Sequence, residues 1–185
     1  MESTLPLFDE PIGGAFDRAG LAAKLQELAR EQIYLGGSSW KYEGWIGQIY
    51  TRDRYLWNGK FSQKRFEELC LAEYAKVFPI VGGDFSFYQF PTVEFWQKLF
   101  GSAPRTLKFG LKVPEEITAK IFPSHPRYGP RAGMLNPTFL DAAVLETMFL
   151  EPLEPYKAQI AVLMFEFGTF KKSSYERPDE FVRDL

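Results

Sequence analysis

Histidine and cysteine are almost missing from this chain: its 185 residues include one of each, His125 and Cys70. One cysteine excludes an internal disulfide. Without a CxxC or HExxH pattern, the chain alone cannot assemble a His-rich or Cys-rich metal site. No metal ligand is assigned, and a carboxylate-held magnesium stays open. Gly36 and Gly37 do not complete a GxGxxG turn, and no GxxxxGK(S/T) occurs, so the cofactor is unknown. Long apolar runs are also lacking. The longest, Ile160 to Phe165, falls far short of the roughly twenty residues that cross a bilayer, so no membrane anchor is expected. The acidic start, Met1 to Glu10, has neither the basic nor the apolar region of a signal peptide, and a reducing, cytoplasmic location fits best. Nor does one sign of charge dominate: 22 Lys and Arg against 24 Asp and Glu leave −2, too little for a global field that draws in nucleic acid.

What the chain has is apolar and aromatic mass, 45% and 17% of its residues, enough to bury one sizeable core in one globular domain. Met1 to Gly14, rich in Pro, Gly and acid, reads as a surface tail. Leu21, Leu25 and Leu28 recur at helical spacing and predict a leading helix over Gly20 to Gln32. Strand one follows at Ile33 to Ser39. Ser62 caps a helix carrying Phe66, Leu69, Cys70, Tyr74 and Val77, which Pro79 stops. Strand two is Ile80 to Gln89, Thr92 caps a short helix through Trp96 and Leu99, and strand three is Thr106 to Val113. A further helix spans Phe139 to Leu153, strand four Gln159 to Phe167, and Pro178 suits the first turn of a last helix.

Strands alternating with helices imply a parallel sheet with right-handed crossovers, either doubly wound, which would want a glycine-rich phosphate turn after a strand, or closed as a barrel. The fold class is α/β, and the expected architecture is a TIM-type (β/α)8 barrel of which residues 33–185 supply the first four βα units, after a tail and leading helix over 1–32. A closed barrel needs eight strands and about 250 residues. The edges of a four-stranded sheet would be open, which predicts either a missing C-terminal half or an association that covers them.

Four segments in order carry a family resemblance. Leu35-Gly-Gly-Ser-Ser-Trp-Lys-Tyr-Glu-Gly-Trp45 resembles the first-strand signature of the YecE-like family, domain of unknown function 72, usually Gly-Thr-Ser-Gly-Trp-Ser-Tyr-x-Gly-Trp. Phe87-Tyr88-Gln-Phe-Pro91 is similar to its strand-two Phe-Tyr-x-x-Pro, and Phe109-Gly-Leu-Lys-Val-Pro-Glu-Glu-Ile-Thr118 to its strand-three Phe-x-x-Lys-x-Pro-x-x-Ile-Thr. Leu163-Met-Phe-Glu-Phe167 aligns more loosely. The resemblance implies a TIM-type barrel. This chain departs from the family pattern at Gly82-Gly83-Asp84 (commonly Glu-x-Asn), at Ala119 (often His) and at Glu166 (often Gln), and lacks the later Arg-His-x-Ser-Trp segment.

In such a barrel ligands bind at the C-terminal ends of the strands. Period two places Lys112 on the face opposite Leu107, Phe109, Leu111 and Val113, and sets Glu166 with Met164. Neighbouring strands would bring Lys112 and Glu166 together, joined by Asp84 and Tyr88 from strand two. These four are the candidate catalytic residues: a lysine beside a carboxylate serves as general base, Schiff-base nucleophile or anion clamp. The competing reading is a paired structural charge.

Two long loops complete the face. Trp40 to Phe61, a candidate lid, interleaves Trp40, Tyr42, Trp45, Tyr50, Tyr55, Trp57 and Phe61 with four cations. Thr118 to Pro137 carries Lys120, His125, Arg127 and Arg131 and no acid. The two loops hold a net +5 and the remainder −7. Trp40, Tyr42, Trp45, His125, Arg127 and Arg131 are therefore candidate ligand-binding residues for a phosphorylated small molecule or nucleic acid, with stacking and phosphate neutralisation. The bland reading packs the aromatics as a satellite core and leaves the cations solvated. The enzymatic form would be a hydrolase or lyase. The alternative is a non-catalytic ligand-binding or scaffold module, or an inactive fragment of a longer protein.

Overall fold

A computed structural model describes residues 16–170, 172 and 174–185. The expected tail over Met1 to Gly14 lies outside the described residues. Helix α1, Arg18–Arg30, starts where Asp17 accepts a hydrogen bond from the Gly20 amide. It buries Leu25, with Leu21 and Ala22 against the core. A two-stranded hairpin, β1 (Leu56–Trp57) and β2 (Lys60–Phe61), turns on Asn58 and Gly59, both at positive φ. Ser62 caps α2, Gln63–Tyr74, and Thr92 caps α3, Val93–Gly101.

The central sheet is parallel, with β3 (Ile80–Gly83), β4 (Lys108–Lys112) and β5 (Ile160–Met164) side by side in chain order. After β4 comes the single turn α4, Glu115–Thr118. The helix expected over Phe139–Leu153 runs as α5 (Ala142–Leu145), a π segment over Glu146–Leu150 and α6 (Glu151–Leu153). The last helix is α7, Pro178–Asp184. None of the described helices is long and apolar enough to cross a membrane.

One face of the sheet is packed under helices. Val81, Phe109 and Leu111 are fully buried with Phe66, Trp96 and Phe149, and the Phe109 ring meets Phe100 of α3 edge-on at 4.9 Å. Burial of each such side chain contributes about 2 kcal/mol. The other face presents Gly82, Gly110 and Val162 in register, and Val162 is 45% exposed. Parallel sheets are normally covered on both faces. No closed barrel is seen among the described residues.

Two expected strands need correction. Ile33 to Ser39 is not a ladder strand, although Gly37 O accepts from Gly82 N at 3.0 Å. The hydroxyl of Tyr74 takes the place of a second ladder bond: it accepts from Gly37 N at 2.6 Å and donates to Ile80 O at 2.9 Å. Gly36 runs so close to β3 that a Cβ there would stand 1.9 Å from Ile80 O. Strand two ends at Gly83 rather than Gln89, because the chain turns back with Phe87 N bonded to Asp84 O and the buried Ser86 hydroxyl donating to Lys112 O at 2.6 Å.

Candidate functional site

The ends of the three strands converge on one ammonium group. Lys112 is the last residue of β4, Asp84 follows β3, and Glu166 lies two residues beyond β5, whose Met164 stands opposite Lys112. Lys112 Nζ is 2.8 Å from Asp84 Oδ1 and 2.6 Å from Glu166 Oε2, and it sits over the Phe87 ring at 5.3 Å. Tyr88 does not join this group. With the strand ended at Gly83, it turns outward, 46% exposed, and stacks under the Arg127 guanidinium at 4.0 Å.

Hydrogen bonds to Asp84 and Glu166 raise the Lys112 pKa well above the ordinary lysine value. That environment favours the ammonium and disfavours the neutral amine that general-base or Schiff-base chemistry requires. Lys112 is suited to hold two carboxylates in place, or to clamp an acceptor that approaches between them.

Beside the triad lies a cavity of about 570 Å³ whose walls include Glu115, Thr118, Lys120, Phe122, Glu166 and Phe170. The α4 turn positions its polar groups: Glu115 N is tied to Phe87 O at 2.7 Å, and Ile117 N bonds Pro114 O. Tyr128 donates its hydroxyl hydrogen to Glu115 Oε2. Burial raises the Glu115 carboxyl above its usual range, with Arg127 opposing and the charges of Glu166 and Glu116 reinforcing the rise. Thr118 is 1% exposed, and its Oγ1 has no hydrogen-bond partner among the described residues. An orphan buried hydroxyl costs about 1–3 kcal/mol. Neither Glu115 nor Thr118 stood out in the sequence, although both fall inside the Phe109 to Thr118 motif.

The cationic loops are less free than their sequence suggests. Lys120 pairs with Asp184 at 3.4 Å, Arg131 pairs with Glu116 at 3.0 Å, and Arg131 also lies over Phe122 at 4.5 Å. His125 is exposed and accepts from Arg127 N through Nδ1, capping the short turn Pro126–Arg131. The acids that answer these cations lie far away along the chain or in the preceding turn.

The expected lid over Trp40 to Phe61 is mostly packed down instead. Ile49, Tyr50 and Tyr55 are buried, Trp45 stacks near Tyr74 and Phe78, and the Tyr50 hydroxyl donates to Trp40 O. Tyr42 and Trp57 stay exposed, at 57% and 62%. Glu73 of α2 anchors the loop. Only 2% exposed, it accepts from Tyr55, from Thr51 N and Oγ1, and from Arg18, with Arg54 at 3.6 Å. Burial alone would push this carboxyl up. The bonds from Tyr55 and Thr51 and the Arg18 charge outweigh it, and the net shift is downward. Burial also lifts the Cys70 thiol to about 11, which leaves it an inert core residue. Among the described residues, no group of three or more His, Cys, Asp or Glu side chains is placed to hold a metal ion.

The fold and this site define an α/β protein that gathers charged side chains at the carboxyl ends of neighbouring parallel strands. The model of the family described as Protein of unknown function DUF72 matches residues 34–185, and the chain belongs to that family. No curated protein matches the chain, and no solved structure does.

Proposed function

We propose that this chain forms the ligand-binding part of a TIM-type barrel and holds a small polar molecule at the C-terminal ends of its strands. Parallel strands adjacent in chain order are what a barrel requires, and closure would cover the sheet face on which Val162 stays exposed. That cover is further strands, on this polypeptide or on an associated chain. The observation that carries the reading is Lys112, held between Asp84 and Glu166 at the ends of three neighbouring strands, next to a cavity.

The charge balance weighs against the expected phosphorylated or nucleic-acid-like ligand. Lys112, Lys120 and Arg131 are each already matched by a carboxylate, so a polyanion would have to displace acids from them. The same balance suits a small molecule that offers both donors and acceptors.

A titration of the 15N-labelled chain with ribose, glycine, ribose 5-phosphate and a short single-stranded oligonucleotide tests this. Shifts confined to residues 84–88, 112–120 and 166–170 with a small probe are expected. Strongly salt-dependent oligonucleotide binding, with shifts spread over the 40–61 loop, would overturn it in favour of a nucleic-acid surface.

A further inference from the structure

A second cavity, of about 490 Å³, is walled by the loop over residues 38–41, by α2 and by α3. Its size is that of a small-molecule site. Aromatic rings line it in a continuous series: Trp40 meets Phe85 edge-on at 5.6 Å, and Phe85 meets Phe95 of α3 at 6.0 Å. Phe95 is 37% exposed, and Trp40 and Phe85 are half-buried, so part of each residue is left uncovered. The loop is fixed in place by Gly37 O, which accepts from Gly82 N at 3.0 Å, and by Trp40 O, which accepts from the Tyr50 hydroxyl.

The charges here differ from those beside Glu166. Lys112 and Lys120 are each matched by a carboxylate, whereas Lys41 and Lys98, both exposed and both lining this second cavity, enter no ion pair among the described residues. Of the two acids in the same walls, Asp84 is answered by Lys112 at 2.8 Å, and Glu67 offsets one of the two lysines. One positive charge is left over. Ser39 accompanies it: its Oγ accepts from Lys41 N at 3.2 Å and keeps a hydrogen to donate. A surplus of one charge fits a monoanion better than a phosphate dianion, and the three rings fit a flat apolar body.

We propose that this cavity binds a small aromatic carboxylate, its anionic group answered by Lys41, Lys98 and Ser39 and its ring laid against Trp40, Phe85 and Phe95. The site is separate from the one beside Glu166, because the two cavities share no lining residue, and either can fail without the other.

The test titrates the 15N-labelled chain with phenylacetate, phenyl phosphate and benzylamine, which share a ring and differ in charge, in the wild type and in Lys98→Gln and Phe95→Ala. Phenylacetate should move residues 38–41, 83–85 and 95–102, leave 112–120 and 166–170 in place, and bind more tightly than either other probe. Lys98→Gln should weaken phenylacetate about fivefold, the worth of one partly exposed ion pair. Its melting temperature should stay close to wild type, because this lysine has no ion-pair partner to lose among the described residues. Phe95→Ala should weaken phenylacetate by about the same factor through lost ring contact. Equal or tighter binding of phenyl phosphate or benzylamine overturns the carboxylate assignment, and so does a phenylacetate affinity indifferent to Lys98→Gln. If no probe moves residues 38–41 and 95–102, the site itself falls, whatever happens beside Glu166.

Discussion

Two acidic centres of the chain, around Glu73 and around Glu115 and Glu166, differ in how completely they are satisfied. Around Glu73, hydrogen bonds from Tyr55, Thr51 and Arg18 accompany a nearby Arg54, in a setting that holds the carboxyl ionised. Around Glu115 and Glu166 the bonding is incomplete: burial raises the pKa of one acid, a neighbouring buried hydroxyl has no partner among the described residues, and the two acids line a cavity. A carboxylate that the protein itself fully satisfies is scaffold. One left partly satisfied beside open space has bonding capacity to spare for a ligand.

Removing Glu73 should therefore break the scaffold outright. Glu73→Ala strands Arg18, Tyr55 and the Thr51 amide together, and a cost of about 3–5 kcal/mol is expected from losing one partner of a buried ionic cluster. Urea denaturation reads it. A loss below about 1 kcal/mol would place Glu73 among ordinary surface ion pairs and erase the contrast between the two centres.

The contrast also fixes opposite signs of pH dependence. Glu73 has a lowered folded pKa, so its contribution is present above the unfolded carboxylate value and is lost as pH falls through the folded one. Glu115 has a raised folded pKa. Its contribution is complete below the unfolded value and is lost as pH rises through the folded one. Relative to wild type, Glu115→Gln should thus gain stability on going from pH 4 to pH 7, and Glu73→Gln should lose it. Urea midpoints across that range check both, and slopes of the same sign would mean the two acids share one kind of environment.

Much of this was legible in the residues, and the exceptions have physical reasons. Helical spacing and the caps Ser62 and Thr92 located α2 and α3, and period two along β4 put Lys112 on the side where Asp84 and Glu166 reach it. Local pattern reports which face a residue is on, but not which distant group waits there. Glu73 meets a residue 55 positions earlier, and Gly37 loses its ladder bond to a tyrosine hydroxyl 37 positions later. The Asn58-Gly59 pair is a strong local hairpin signal, and it marks part of the presumed lid as ordered scaffold. The cations of residues 118–137 looked unopposed because Asp184 sits 64 positions beyond Lys120, and Glu116 lies just outside that stretch.

The smallest effect on stability is expected at Lys112, and it is the most informative one for the comparison. Asp84 and Glu166 are both about half exposed, at 54% and 52%, so their pairing with Lys112 is worth no more than about 1 kcal/mol. Lys112→Met keeps the length of the side chain and removes its charge, leaving two carboxylates whose mutual repulsion water largely screens. The fold should survive with a urea midpoint close to wild type. Glu166, released from the ammonium, should swing away from the cavity, and the site's response to small polar probes should disappear. If Lys112→Met instead unfolds the chain as Glu73→Ala does, the strand-end triad is a second scaffold node, and the distinction between satisfied and unsatisfied acids loses its functional meaning.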